Sequence, residues 1–229
     1  MCNFEETGAI VAAMTTSIPE SDGSTRNWDY RYCWLRDAAM SAASLVKLGS
    51  FNEAMGFLDW MLGVIDRAAA PERLMPLYTV TGHEVGAEAE IGQLAGYAGS
   101  RPVRVGNAAR GQVQLDVFGP IAELIWQLLL AEAPISSEHW RLVDATVRAV
   151  EARWHEPDHG IWEIRKPRRH HVHSKVMCWL TVDRGIRISD RFLNRPRPEW
   201  EALRDTIAAD ILENGWNKKL GTFTSAYGD

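Results

Sequence analysis

A single carboxylate on an aromatic loop is the first feature of this sequence that could do acid–base chemistry. Glu163 follows Trp162 directly, in a segment that Gly160 marks as a loop. An apolar wall disfavours the charged form of a carboxyl and keeps it protonated until it donates, so Glu163 beside Trp162 is a candidate general acid. The alternative is a solvated loop glutamate paired with Arg165 or Lys166.

The segment 26–37, RNWDYRYCWLRD, holds four aromatic, three arginine and two aspartate side chains in twelve residues. At its end Arg36 and Asp37 would present a planar donor fork beside an acceptor, which suits the vicinal hydroxyls of a sugar. Tyr30 and Trp34 would supply flat apolar faces for a pyranose ring. The alternative assigns Asp37 to a helix N-cap, Arg36 to a surface ion pair and the aromatic rings to the core.

Two arginines three residues apart lie in a loop framed by glycine and proline at 99–109. Arg101 and Arg104 could there hold hydroxyls, a phosphate or a neighbouring carboxylate. The Gly-Lys-Ser/Thr ending of a P-loop is missing from this segment, so a nucleotide-phosphate loop is not indicated.

The segment 168–175, RRHHVHSK, brings three histidines within four residues. The spacing of His170, His171 and His173 is not the i, i+4 pair that places two ligands on one helical face, so we expect no metal site. We instead expect a basic loop that neutralises nearby carboxylates or contacts a substrate hydroxyl or a free phosphate.

The elements that must position these groups are helical, because apolar residues recur at helical spacing through most of the chain. The predicted helices are 37–48, 52–66, 114–131, 137–154, 173–189 and 198–212. The connections 67–112 and 155–171 are long, and loops of that length usually serve a function. Three helical hairpins with long loops fit an all-α toroid in which the loops at one end form the site. A plain helical bundle is the alternative, although it would not need such loops.

Composition narrows the class of protein. The 229 residues carry a net charge of −5, and the excess of acidic over basic side chains argues against nucleic-acid binding. Three widely spaced cysteines indicate neither a disulfide framework nor a zinc site. The N-terminus has no apolar leader and the longest apolar run is too short to cross a bilayer, so we expect no membrane contact and a cytoplasmic location.

The four segments occur together and in order, and with the start at 8–13 they resemble the catalytic domain of glycoside hydrolase family 15. This family contains glucoamylases, glucodextranases and bacterial trehalases, and the resemblance covers nearly the whole chain. It implies an (α/α)6 toroid and inverting hydrolysis of terminal α-glucosidic bonds in trehalose, a maltooligosaccharide or another α-glucan, without a cofactor. We favour trehalose, because 27–37 and 173–175 are most similar to the bacterial forms.

The resemblance also implies roles for individual side chains. Glu163 matches the general acid, Arg36 and Asp37 match the pair that holds the terminal glucose, and Tyr30 matches the tyrosine that faces the developing oxocarbenium. One arginine of the 99–109 loop would line the next subsite. The predicted substrate-binding set is therefore Tyr30, Trp34, Arg36, Asp37, Arg101, Arg104 and Trp162.

Family members carry a β-sandwich before the toroid and three further hairpins, and the family's general base lies in that later part. The resemblance therefore implies that 1–229 is a partial catalytic domain, without the β-sandwich, the second half of the toroid or the base. The open ends of half a ring would expose apolar faces, so we expect self-association or a complementary barrel half. Two alternatives remain open: a toroidal phosphorylase, which would use Glu163 and the 168–175 cluster with inorganic phosphate, and a non-catalytic sugar-binding fragment.

Overall fold

The structure of the protein, a computed structural model, describes residues 2–68 and 70–229. Six α-helices and six two-residue strands form in these ranges. The helices are α1 (Leu35–Lys47), α2 (Phe51–Arg67), α3 (Phe118–Leu130), α4 (Ser137–Arg153), α5 (Val172–Ile188) and α6 (Pro198–Asn214). The strands are β1 (Cys33–Trp34), β2 (Leu77–Tyr78), β3 (Ala89–Glu90), β4 (Arg104–Val105), β5 (Trp216–Asn217) and β6 (Thr222–Phe223).

The helices pack in two rows. In the inner row α1 packs against α3 and α3 against α5, while in the outer row α2, α4 and α6 each pack against the helix that precedes them. Helices α2 and α4 also contact each other. The chain thus forms three helical hairpins side by side, which is half of an (α/α)6 arrangement, and the predicted all-α fold is confirmed.

Helix α3 shows why the sequence folds this way. Ile121, Leu124, Ile125 and Leu128 recur at helical spacing and are fully buried, so α3 lies at the centre of the core. Gly119 permits close contact with α5, because a Cβ built there would lie 2.9 Å from a backbone oxygen of that helix. Of the tryptophans, Trp60 is buried and Trp126, Trp140 and Trp179 are partly buried against the same core. Within residues 2–68 and 70–229 no helix is long and apolar enough to cross a membrane.

The start of α1 differs from the prediction. The helix begins at Leu35, Trp34 occupies the N-cap position, and Asp37 lies in the first turn without capping the helix. The backbone N–H of Leu35 finds its partner elsewhere, in the carbonyl of Pro76 at 2.9 Å. The predicted Asp37 N-cap is therefore wrong. Pro76, which directly precedes the strand β2 that pairs with β1, accepts from an N–H at the start of the helix instead.

Short strand pairs order the long connection at 67–112. Antiparallel pairing of β1 with β2 places Tyr78 opposite Cys33, and β3 pairs with β4 to form a second ribbon. A 3-10 turn at Leu115–Val117 then leads into α3, which begins at Phe118 rather than at 114. The His159 N–H donates to the Val113 carbonyl at 2.9 Å, so the segment before α5 also lies beside the one before α3.

Candidate active site

A pocket of about 520 Å3 lies where the segments before α1, α3 and α5 meet, and it is lined by parts of 12–37, 107–112 and 161–165. This volume is in the usual range for sites that bind small molecules. Its charged lining residues are Glu20, Arg26, Arg36, Asp37, Glu163 and Arg165, and its aromatic ones are Trp28, Tyr30, Trp34 and Trp162. The structure therefore brings six of the eight predicted site residues to one pocket: Tyr30, Trp34, Arg36, Asp37, Trp162 and Glu163.

The carboxyl of Glu163 is held by one of its two oxygens. Oε1 accepts hydrogen bonds from Trp34 Nε1 at 2.6 Å and from Gln114 Nε2 at 3.0 Å. Arg36 NH2 lies 3.7 Å from the same oxygen. The side chain remains 25% exposed and lines the pocket, so the carboxyl is fixed in position and still accessible to a ligand.

The loop that carries Glu163 has an unusual backbone. Glu163 has a φ of 52° and Gly160 a φ of 69°, both in the left-handed region that non-glycine residues rarely adopt. Gln112 Nε2 donates to the Glu163 carbonyl at 3.1 Å, and His159 N–H donates to the Val113 carbonyl at 2.9 Å. Such strain persists only where surrounding contacts impose it, and it is concentrated at functional sites.

Arg36 is a buried charge at the base of the pocket, with 6% of its surface exposed. NH1 donates to Gln114 Oε1 at 2.9 Å and to Asp116 Oδ2 at 3.1 Å, and NH2 lies 3.1 Å from Asp37 Oδ2. Burial opposes the charge, but the carboxylates of Asp116, Asp37 and Glu163 outweigh it and raise the pKa of the Arg36 guanidinium. The alternative of a surface ion pair is wrong for Arg36, because Arg36 is buried and so are its partners Gln114 and Asp116.

Asp37 and Tyr30 complete the part of the pocket around Glu163. The Asp37 side chain is 55% exposed, so its carboxylate can accept hydrogen bonds from a ligand while Arg36 orients it. The Tyr30 ring lies 5.8 Å from that of Trp34, measured between centroids. Burial raises the pKa of Tyr30, and the charge of Glu163 acts in the same direction, so the phenol stays neutral and can donate.

Trp162 does not form the wall that the sequence predicts. Its side chain is 81% exposed at the edge of the pocket, where it also lines a neighbouring cavity of about 340 Å3. An exposed ring does not exclude water from a carboxyl, so the expected apolar surroundings of Glu163 need correction. The groups that contact the Glu163 carboxyl are instead the N–H donors of Trp34 and Gln114.

Neither arginine of the 99–109 loop lines the pocket. Arg104 NH1 donates to the carbonyls of Thr25 and Asn27 at 3.1 Å each, behind the pocket wall. Arg101 is exposed, and its NH1 lies 3.4 Å from the Gly92 carbonyl. Neither side chain therefore reaches the pocket around Glu163, and the role of one of them at the next subsite stays a prediction.

Arg104 instead supports a tryptophan that does line the pocket. The Arg104 and Arg165 guanidinium groups lie 4.7 Å and 4.3 Å from the centre of the Trp28 ring. Glu88 joins them, because it accepts from Arg165 at 2.7 Å and lies 3.6 Å from Arg104 Nε. Burial raises the pKa of Glu88, but hydrogen bonds and charges from these arginines outweigh burial and hold the pKa below its usual range. Arg165 is thus paired with Glu88, and the alternative that pairs it with Glu163 is wrong.

The basic 168–175 cluster does not line this pocket either. Lys175 is buried, and its Nζ donates to the carbonyls of Trp154 and Glu156, the latter at 2.7 Å. His171 and His173 line the neighbouring 340 Å3 cavity. In the described part of the chain no group of three His, Cys, Asp or Glu side chains is placed to hold a metal ion.

Sequence reasoning missed the amide side chains under the pocket. Gln114 is 3% exposed and contacts both Arg36 and Glu163, and Gln112 donates to the backbone of Glu163. A weak signal was present: Gln112, Gln114 and Asp116 alternate with Val113 and Leu115, which places the polar side chains on one face of an extended segment. Neutral amide side chains carry no charge, so this alternation does not by itself indicate a functional site.

The architecture is that of glycosidases of known structure. A wild-type glycosidase superposes with a TM-score of 0.69 at 18% sequence identity, over 97% of this chain and 56% of that chain. A glycosidase variant in complex with glucose gives a TM-score of 0.71 at 19% identity over the same shares. The chain belongs to glycosyl hydrolases family 15, whose model matches residues 2–229. The family predicted from the sequence is thereby confirmed.

Proteins named trehalase are similar in sequence over nearly the whole chain. The trehalase of Mycobacterium tuberculosis is 39% identical, over 99% of this chain and 33% of that protein. The trehalase of Thermoplasma acidophilum is 37% identical, over 98% of this chain and 38% of that protein. The chain therefore spans about a third of the length of the curated relatives it matches.

Proposed function

We propose that this chain supplies the general acid and the glucose-binding wall of a glycosidase that hydrolyses terminal α-glucosidic bonds with inversion. The observation that carries the proposal is the fixed but accessible carboxyl of Glu163, beside the Arg36–Asp37 pair and the rings of Tyr30 and Trp34. The similarity to proteins named trehalase favours trehalose as substrate, ahead of a maltooligosaccharide.

In the proposed reaction Glu163 donates its proton to the oxygen of the glycosidic bond. The C1–O bond breaks, its electron pair stays on the leaving oxygen, and a water molecule attacks C1 from the other face of the ring. A carboxylate base takes the proton of that water. The family resemblance assigns no residue of 1–229 to this base, and we propose that a carboxylate outside this chain fills that role.

The other pocket residues would bind the glucose. Asp37 is oriented by Arg36 and would accept from the sugar hydroxyls, which is the geometry that a vicinal diol requires. The oxygen lone pairs of neutral Tyr30 would face the positive charge that develops at C1. Trp28 and Trp162 would lie against the apolar faces of the sugar rings.

The phosphorylase alternative loses the observation on which it depended. It needed a basic site for inorganic phosphate near Glu163, but Lys175 is bound to backbone carbonyls and the 168–175 cluster does not line the pocket. Hydrolysis is therefore the function that the geometry supports best. The self-association or complementary barrel half expected from the sequence stays a prediction, which the mass of the protein in solution would test.

The experiment uses a protein that holds this chain and the proposed base together, called the wild type from here on. It is compared with Glu163→Gln and with Glu201→Gln, a matched change on the exposed surface of α6. Glucose release from trehalose, maltose and soluble starch should be lost in the first variant and unchanged in the second. Before mutarotation, NMR of the anomeric protons should show β-glucose from soluble starch, and β- and α-glucose in equal amounts from trehalose, because only the attacked C1 inverts. Unchanged turnover in Glu163→Gln would refute the proposal, and activity on starch alone would refute trehalose as the substrate.

We also propose a cytoplasmic location. Cys2, Cys33 and Cys178 are free thiols, as a reducing compartment would keep them. Burial raises the pKa of Cys33 and of Cys178 to about 12, so both stay unreactive. Fractionation of cells that express the protein would test this location.

A further inference from the structure

Gln114 contacts both charged groups at the centre of the pocket. Its Oε1 accepts from Arg36 NH1 at 2.9 Å, and its Nε2 donates to Glu163 Oε1 at 3.0 Å and to Gln112 Oε1 at 3.0 Å. The side chain is 3% exposed, so solvent does not compete for these contacts. Every polar atom of this amide is therefore used within the protein.

Chemistry fixes which way the Gln114 amide faces. A guanidinium has donors and no acceptor, so Arg36 requires the amide oxygen. The amide nitrogen must then face Glu163, and the contact cannot be reversed by rotating the amide group. Arg36 is held in turn by Asp116, at 3.1 Å. The position of Arg36 thus determines that Glu163 receives an N–H and not an oxygen.

The two donors distinguish the oxygens of the Glu163 carboxyl. Oε1 already accepts from Trp34 and Gln114, and a proton on Oε1 would point its O–H at one of these N–H groups. Within the described residues no hydrogen bond of the protein reaches Oε2. We propose that Gln114 is a positioning residue that, together with Trp34, confines the transferable proton of Glu163 to Oε2 on the pocket side.

This inference rests on the proposed function of Glu163 and adds a second effect of the same contact. When Oε2 gives its proton to the leaving oxygen, Glu163 becomes a carboxylate. The N–H of Gln114 and the guanidinium of Arg36, 3.7 Å away, then face a full negative charge. A hydrogen bond to a charged acceptor is stronger than one to a neutral acceptor, so Gln114 stabilises the state that follows proton transfer.

The test uses Gln114→Met, which keeps the length of the side chain and removes both its donor and its acceptor. The control is Gln127→Met on α3, where the amide also donates to a glutamate, Glu123 at 2.8 Å, but lies outside the pocket. Two substrates are compared: trehalose, whose leaving oxygen needs a proton, and α-glucosyl fluoride, whose leaving group needs acid assistance far less.

We expect Gln114→Met to lower kcat/KM for trehalose by about 10-fold or more and to leave α-glucosyl fluoride within about 3-fold of the wild type. Glu163→Gln should show the same preference for the fluoride, more strongly, and Gln127→Met should change neither rate. Equal losses on both substrates in Gln114→Met would overturn the positioning role alone. A Glu163→Gln variant without this preference would overturn the proposed function instead.

A second measurement needs no turnover. The side-chain amide signal of Gln114, identified in 15N NMR spectra by its loss in Gln114→Met, should shift in Glu163→Gln, which replaces the carboxyl that accepts from it. The amide signal of Gln127, which donates to Glu123, should not shift in that variant. An unchanged Gln114 signal in Glu163→Gln would show that no hydrogen bond joins Gln114 to this carboxyl, and the inference would fail.

Discussion

The indole N–H of Trp34 donates a 2.6 Å hydrogen bond to Oε1 of Glu163, across 129 positions of sequence. The two residues lie on different hairpins, Trp34 just before α1 and Glu163 in the loop before α5. The Trp34 side chain is 4% exposed, so this bond is shielded from water on the indole side. A short bond to a carboxyl in such surroundings joins the proposed substrate-binding segment to the proposed acid.

Trp34→Phe tests this relationship, because it keeps an aromatic ring and removes the N–H. We expect the free energy of unfolding to fall by about 1–2 kcal/mol, since a buried intramolecular hydrogen bond contributes about that much. Turnover should fall as well, because Oε1 loses one of its two donors. Urea unfolding and initial rates measure these effects. Trp216→Phe, on the partly exposed β5–β6 hairpin, is the control and should change neither.

The pH dependence of stability should report the Glu88 contacts around Trp28. The pKa of Glu88 is below its usual value in the folded protein, so the unfolded chain binds more protons as the pH falls. The stabilisation is therefore complete at neutral pH and is lost as the pH falls below about 4.5. At pH 7 the free energy of unfolding of Glu88→Gln should be about 1 kcal/mol lower than that of the wild type. The loss is no larger because Arg165 is half exposed and solvent partly screens its charge.

The wild type and Glu88→Gln should become equally stable once the pH has fallen through the lowered pKa of Glu88, because a protonated glutamate resembles glutamine. Glu90→Gln on the same ribbon is the matched control. The Glu90 side chain is 62% exposed, and its 3.4 Å contact with Arg104 is longer than the 2.7 Å contact of Glu88 with Arg165. A difference between Glu88→Gln and wild type that persists unchanged at low pH would mean that charge on Glu88 does not stabilise the protein.

Local pattern was enough to predict most of the fold. The apolar residues of α3, such as Ile121 and Leu128, are spaced so regularly that the helix and its buried face follow from the sequence. The starts of helices were less predictable. At the start of α1, for example, the partner of the first N–H is the Pro76 carbonyl, 41 positions away from Leu35. Contacts of that range leave no mark on the local sequence.

The site was predictable where residue type alone limits the options. Arg36 and Asp37 suit sugar hydroxyls wherever they lie, and the structure does place them in the pocket with Glu163. The direction of a loop side chain depends instead on distant backbone, as Arg104 shows by bonding to Thr25 and Asn27. The same limit explains why the exposure of Trp162 could not be foreseen.

Gly160→Ala should destabilise the loop that carries Glu163. The residue has a φ of +69°, and a Cβ there would lie 2.8 Å from Cδ2 of His171, so both backbone and packing disfavour alanine. We expect a loss of about 2 kcal/mol in the free energy of unfolding and a fall in turnover, because Glu163 is displaced. Gly86→Ala is the control, since a Cβ at Gly86 meets nothing within 4 Å. Equal stability of the two variants would contradict the loop conformation described.

Removal of the Trp162 ring should weaken substrate binding and leave the stability of the fold unchanged. Its side chain is 81% exposed, so Trp162→Ala should leave the urea midpoint unchanged, as surface substitutions usually do. The ring lines the pocket beside Glu163, and loss of an aromatic contact with a sugar should raise KM for trehalose by about 2- to 10-fold while kcat changes less. Trp162→Phe should restore most of the affinity, because it keeps a flat apolar face. If Trp162→Ala leaves KM unchanged, the ring does not contact the substrate and the glucose-binding wall ends at Trp28 and Trp34.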